Sequence, residues 1–156
     1  DINPFALEHP LAPELAARDA GTEVALAPIL AAHARLAERA DALIVEGVGG
    51  WAAPLSASLM QADLVRALHL PVVLVVGLRL GCLNHALLSA RTIAADGAHL
   101  AGWIASHVDP QMERVDDNLT MLRERLPAAC WGVLPHAPAA DPAAMARHLR
   151  IPMLVE

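Results

Sequence analysis

The chain has 156 residues, which by the ordinary size of domains is one domain able to bury a substantial core. It is 56% hydrophobic, yet arginine or an acid interrupts every apolar run before the roughly 18 residues a membrane-spanning helix needs. A net charge of −6 with no basic cluster argues against nucleic acid or an anionic membrane as the main partner, and leaves small molecules or protein. All 11 basic residues are arginine, so no phosphate-binding loop of the G-x-x-x-x-G-K-[ST] type lies within these residues. Cys82 and Cys130 form no C-x-x-C pair, and none of the eight histidines is spaced i, i+4 for metal capture on one helix face. No basic segment precedes an apolar one in the manner of a secretory signal, so the expected location is the cytoplasm, with both thiols reduced.

Pro4, Pro10 and Pro13 punctuate residues 1–13, which read as an extended loop. Two helical runs follow. The second spans about Glu23 to Arg39, with Thr22 as N-cap and Val24, Leu26, Ile29, Leu30 and Leu36 near helical spacing. The texture then changes to short β-rich runs at Ala42–Val45, Val72–Val76, Leu100–Ala105 and Trp131–Leu134. Helices are expected between and after them at Ala62–Leu68, Asn84–Ala95, Glu113–Leu126 and Pro142–Leu149. Asp96-Gly97 reads as a helix stop, with glycine in the left-handed position. Apolar strands alternating with helices predict an α/β fold, a parallel sheet with helices on both faces, and no repeat or second domain.

Ligands of such sheets sit beyond the carboxyl ends of the strands. The loops to weigh are therefore Glu46–Gly50, Gly77–Asn84, Ser106–Pro110 and Pro135–Pro138. In the first, the apolar run Leu43-Ile44-Val45 delivers Glu46 to a loop holding Gly47, Gly49 and Gly50. Glycine lets backbone N–H groups approach a phosphate, and a carboxylate there can hold Mg²⁺; the plainer reading is a tight turn beside a solvated acid. In the second, Gly81, Cys82 and Asn84 open a helix whose free N–H groups suit a carboxylate or phosphate, or merely cap it. Ser106 and His107 could meet a base edge and Pro135 could pack on a base face, or all three could simply shape loops.

Taken in order, Val45-Glu46-Gly47-Val48-Gly49-Gly50-Trp51, Pro54-Leu55, Ala62-Asp63, Leu70-Pro71-Val72-Val73-Leu74-Val75-Val76-Gly77, Leu80-Gly81-Cys82-Leu83-Asn84-His85 and Leu100-Ala101-Gly102-Trp103 strongly resemble dethiobiotin synthetase. The resemblance runs from Asn3-Pro4 to the C-terminus, and the pairing of E-G-x-G-G with a later G-C-x-N-H is its specific part. It implies a P-loop NTPase-like fold and an ATP- and Mg²⁺-dependent cyclo-ligase of biotin synthesis. Such an enzyme joins CO₂ to 7,8-diaminononanoate through a carbamate and a carbamic-phosphoric anhydride to give the ureido ring of dethiobiotin. On this resemblance Glu46 is the Mg²⁺ ligand, and Gly47, Val48 and Gly49 line the ATP phosphates. Ser106, His107, Pro135, His136 and Ala137 lie at the base. Gly81, Cys82, Leu83 and Asn84 bind the carboxylate tail of the diamine across the boundary of a homodimer.

The sequence departs from the family in three respects. Ser106 stands where an asparagine usually reads the base, and serine has fewer donor and acceptor options. The acid usual a few residues after Pro135 falls at Pro142. The family's P-loop, its two lysines and a metal-sharing aspartate precede the point matching Asp1, so the expectation is a single incomplete domain over residues 1–156, N-terminally truncated, with no catalytic residue of its own and inactive alone. The alternatives are a non-catalytic dimerising module and a different P-loop ligase or amidotransferase domain.

Overall fold

A computed structural model describes residues 2–139 and 141–152. The chain divides into two compact units, Asp1–Leu70 and Pro71–Glu156.

The first unit carries helices α1 (Pro13–Asp19), α2 (Leu26–Ala37) and α3 (Gln61–Leu68). Pro13 opens α1, where its missing N–H costs nothing, and Ala16 and Ala17 turn inward. Helix α2 starts three residues later than the apolar spacing suggests, after an extended Ala25, and Thr22 does not cap it. Pro28 is the reason: deeper inside a helix begun at Glu23 its ring would collide with the carbonyl of Val24, so it is confined to the first turn. The Asp63 carboxylate accepts the Met60 N–H at 2.9 Å and fixes the entry to α3. Ala17, Val24, Leu55 and Leu64 form the core of this unit, flanked by Phe5, Leu7, Leu26, Ile29, Leu59 and Leu68.

The expected buried strand at Ala42–Val45 is absent: these residues join no ladder, and Ile44 is 90% exposed. An apolar run becomes a strand only where another strand accepts its N–H and carbonyl groups, and no described residue does so here.

The second unit alternates β1 (Val72–Gly77), α4 (Cys82–Ala95), β2 (Leu100–Ser106), α5 (Val115–Arg125), β3 (Cys130–Leu134) and the short α6 (Pro142–Ala146). The three strands are parallel in the order β1-β2-β3. Leu74 lies beside Trp103 and Val76 beside Ala105, so these side chains share the face that α4 and α5 cover. The core joins Val76, Leu78, Cys82, Ala86, Ala90, Trp103, Ala105, Leu119, Leu122 and Leu126. Trp103 is fully buried, and its indole N–H donates to the Ala128 carbonyl at 3.1 Å.

On the opposite face Trp131 lies over Gly102, while Val73 and Val75 are exposed. Gly97, at φ +76, ends α4 as the Asp96-Gly97 pair predicts. Helix α6 stops at Ala146 rather than Leu149, because the chain turns there and pairs Leu149 antiparallel with Gly132; the Arg150 N–H donates to the Trp131 carbonyl at 2.7 Å.

Candidate functional site

In the first unit the candidate residues are Glu46, Gly47, Val48 and Gly49. Glu46 is exposed. After it the backbone folds tightly, with the Gly50 N–H donating to the Val48 carbonyl at 2.9 Å and the Ala53 N–H to the Gly50 carbonyl at 3.1 Å. Gly49 (φ +74) and Gly50 (φ +129) occupy conformations that side chains strongly disfavour, so these two glycines are conformational requirements.

Gly47 answers a different need. A Cβ on it would stand 2.8 Å from Nε2 of Gln61, a side chain only 6% exposed that fills the space behind the loop. The Gln61 Oε1 accepts the Val48 N–H at 3.5 Å, and the backbone beyond the loop is stitched to the start of α3 by the Gln61 N–H to Ala53 (2.8 Å) and the Ala62 N–H to Trp51 (3.1 Å). Sequence reasoning missed Gln61, since a glutamine opening a helix ordinarily faces water; its burial follows from the fold of the glycine loop and has no local signal.

One free carboxylate, with no cluster of three or more His, Cys, Asp or Glu side chains among the described residues, cannot build an all-protein metal cage. It does fit Mg²⁺, which commonly takes one or two carboxylates, substrate phosphates and water.

In the second unit the remaining candidates gather at the carboxyl ends of three adjacent strands. The Leu78 N–H, just after β1, donates to the Ser106 carbonyl at 2.7 Å, and the Asp109 N–H donates back to the Leu78 carbonyl at 3.3 Å. Gly81, at φ +93, is the residue from which α4 departs. The Cys82 N–H is taken by the Arg79 carbonyl at 3.0 Å and its thiol is buried in the core, so Cys82 presents no side chain to a ligand there. The first-turn N–H groups of Leu83 and Asn84 have no backbone acceptor among the described residues. They are the donors this helix start can offer to an anion.

Ser106 and His107 lie beside Pro135, His136 and Ala137, as the two loops leave neighbouring strands. The His107 N–H donates to the Leu134 carbonyl at 3.0 Å. The His107 carbonyl sits 3.2 Å from Nδ1 of His136, and the two rings stand edge to face with centroids 6.4 Å apart. Nε2 of His107 is buried without a hydrogen-bond partner among the described residues.

A family model described as an AAA domain matches residues 1–144. With the parallel sheet it sets the class, an α/β domain of the P-loop NTPase type. Curated relatives are more particular. The chain is 62% identical over 151 residues to the ATP-dependent dethiobiotin synthetase BioD of Xanthomonas euvesicatoria pv. vesicatoria, covering 97% of this chain and 67% of that protein. The same identity and coverage hold for the protein of that name from Xanthomonas oryzae pv. oryzae. For that from Xylella fastidiosa the identity is 58% over 149 residues, covering 95% of this chain and 66% of the relative. The chain belongs to the dethiobiotin synthetase family, and spans about two thirds of the length of these relatives.

Proposed function

We propose that this chain supplies the substrate-holding and base-holding part of an ATP- and Mg²⁺-dependent enzyme that makes dethiobiotin from 7,8-diaminononanoate and CO₂. The observation that carries the reading is the carboxyl edge of the sheet, where the Gly81–Asn84 helix start and the loops at Ser106–His107 and Pro135–Ala137 collect, in a chain whose relatives bear that enzyme's name. A parallel α/β sheet takes its ligands at this edge.

Each residue then has a role. The N–H groups of Leu83 and Asn84, at the positive end of α4, hold the carboxylate tail of the diamine. Ser106, His107, Pro135, His136 and Ala137 hold the base of ATP. The backbone of Gly47, Val48 and Gly49 lines the phosphates, with Gln61 fixing the shape of that loop. Glu46 holds the Mg²⁺, which when bound offsets the negative charge of the phosphates. With the tail and the base both held, much of the rate advantage comes from positioning the reacting groups. The cations that lysine gives this chemistry come from outside these 156 residues, which contain none, so the isolated chain is inactive.

A homodimer accounts for apolar groups left in water around the substrate motif: Leu80 is 96% exposed and Leu88 on α4 is 53% exposed. No helix among the described residues is long and apolar enough to cross a membrane, and the reaction belongs to the cytoplasm. The absence of lysine also favours a second reading, a dimerising module without catalysis. Equilibrium binding of MgATP and of 7,8-diaminononanoate to the intact gene product separates the two: the enzyme binds both, and a module that dimerises but binds neither refutes the proposal.

A further inference from the structure

The two histidines at the carboxyl edge are chemically unequal. The carbonyl of His107 can only accept a hydrogen bond, so Nδ1 of His136, 3.2 Å away, is the nitrogen that carries the proton. With the ring neutral, Nε2 of His136 is then left as an unprotonated acceptor. The backbone that fixes this tautomer is itself anchored, because the His107 N–H is bound to Leu134 at the end of β3. The His107 ring stands edge-on to that of His136. His136 is exposed, at the mouth of the two loops.

We propose that Nε2 of His136 is the acceptor that selects a nucleobase with an amine at purine C6 or pyrimidine C4, adenine or cytosine, over one with a keto oxygen at that position. The inference rests on the reading of Ser106–His107 and Pro135–Ala137 as the base site. An amine donates to this nitrogen, whereas a keto oxygen meets it lone pair to lone pair. Ser106 cannot discriminate in this way, since a hydroxyl rotates to donate or accept as required. Selection therefore falls to the group whose role the backbone has fixed.

The clearest test is equilibrium binding of ATP and ITP, which differ by an amine against a keto oxygen at C6 and, with it, by an acceptor against an N–H at N1, to the intact gene product with Mg²⁺; CTP and GTP are the second arm. The wild-type protein is expected to prefer ATP over ITP by about tenfold, the scale of one hydrogen bond gained against one acceptor clash. The His136→Ala variant is expected to bring that ratio close to unity, while His136→Gln, which keeps an acceptor oxygen, retains part of it. Adenine is the base selected if ATP also outcompetes CTP, and cytosine if CTP wins. An unchanged ATP-to-ITP ratio in His136→Ala, or a wild-type protein indifferent to the exchange, overturns the inference and leaves the base site standing. A wild-type protein that binds no nucleotide overturns both.

Discussion

Gly102→Ala probes the geometry that holds two of the candidate loops side by side. A Cβ at this position would lie 2.2 Å from both Cε2 and Nε1 of Trp131. Carbon contacts are comfortable at about 3.5 Å, so one partner must retreat by roughly 1.3 Å. Trp131 is 5% exposed and is held in a parallel ladder whose register places Ile104 opposite Gly132. Either the indole leaves its seat, with an upper bound of about 3–5 kcal/mol for losing a buried tryptophan, or the strands shift at the cost of about 1–3 kcal/mol typical of overpacking. A loss of about 2–3 kcal/mol is expected. In a chain of 156 residues that lowers the thermal midpoint by about 4–12 °C. Because β2 leads into Ser106–His107 and β3 into Pro135–Ala137, nucleotide affinity should fall as well. Thermal melting by circular dichroism reads the first effect and calorimetric titration the second. Trp131→Val in the Gly102→Ala background should recover part of both, as expected of two residues in contact. A midpoint within about 2 °C of wild type in Gly102→Ala refutes the packing described here.

Other outcomes follow from single positions. Gly81→Ala should cost about 1–2 kcal/mol, because the nearest neighbour to the new Cβ, Cε1 of His85 at 3.8 Å, is no obstacle and the expense is the φ of +93 alone; a melt identical to wild type contradicts this. The same variant should weaken 7,8-diaminononanoate binding in the intact gene product, because it shifts the first turn of α4. Glu46→Gln should leave the melt unchanged, since the side chain is exposed, yet lower the affinity for Mg²⁺-nucleotide by about tenfold, the scale of one lost ligand; unchanged affinity removes Glu46 from the metal. Val75, 61% exposed on β1, gives the sheet an apolar margin with no pairing strand among the described residues. Val75→Asp should therefore shift the chain toward smaller species in light scattering at micromolar concentration, and an unaltered distribution excludes this margin as a cause of self-association.

The elements of the second unit were legible because their signals are local. Val72-Val73-Leu74-Val75-Val76 is apolar throughout and β-branched at every position but Leu74, and Asp96-Gly97 carries a helix stop in two residues. All three strands fall within a residue of their expected ends. Two helix boundaries were set by neighbours that local spacing does not weigh. Pro28 forces α2 to begin late, and the pairing of Leu149 with Gly132 cuts α6 short.

The strand expected at Ala42–Val45 failed for a related reason. Propensity makes a strand possible, but only a partner's hydrogen bonds make it real, and Ile44 finds none among the described residues. At the candidate site, the structure seats His107 beside His136 as two adjacent strand ends require. Cys82 could not be judged from spacing, because the same helix start that frees the N–H groups of Leu83 and Asn84 turns its thiol inward. Gln61 was invisible for the opposite reason, its role being to fill space behind a loop rather than to continue any pattern.

The most direct test is the reaction itself: ATP-dependent formation of dethiobiotin from 7,8-diaminononanoate and bicarbonate, with the intact gene product and the 156-residue chain assayed in parallel. Turnover by the intact product, abolished without Mg²⁺ and absent from the chain alone, is the predicted result. An intact product that dimerises and melts cooperatively yet forms no dethiobiotin would contradict it.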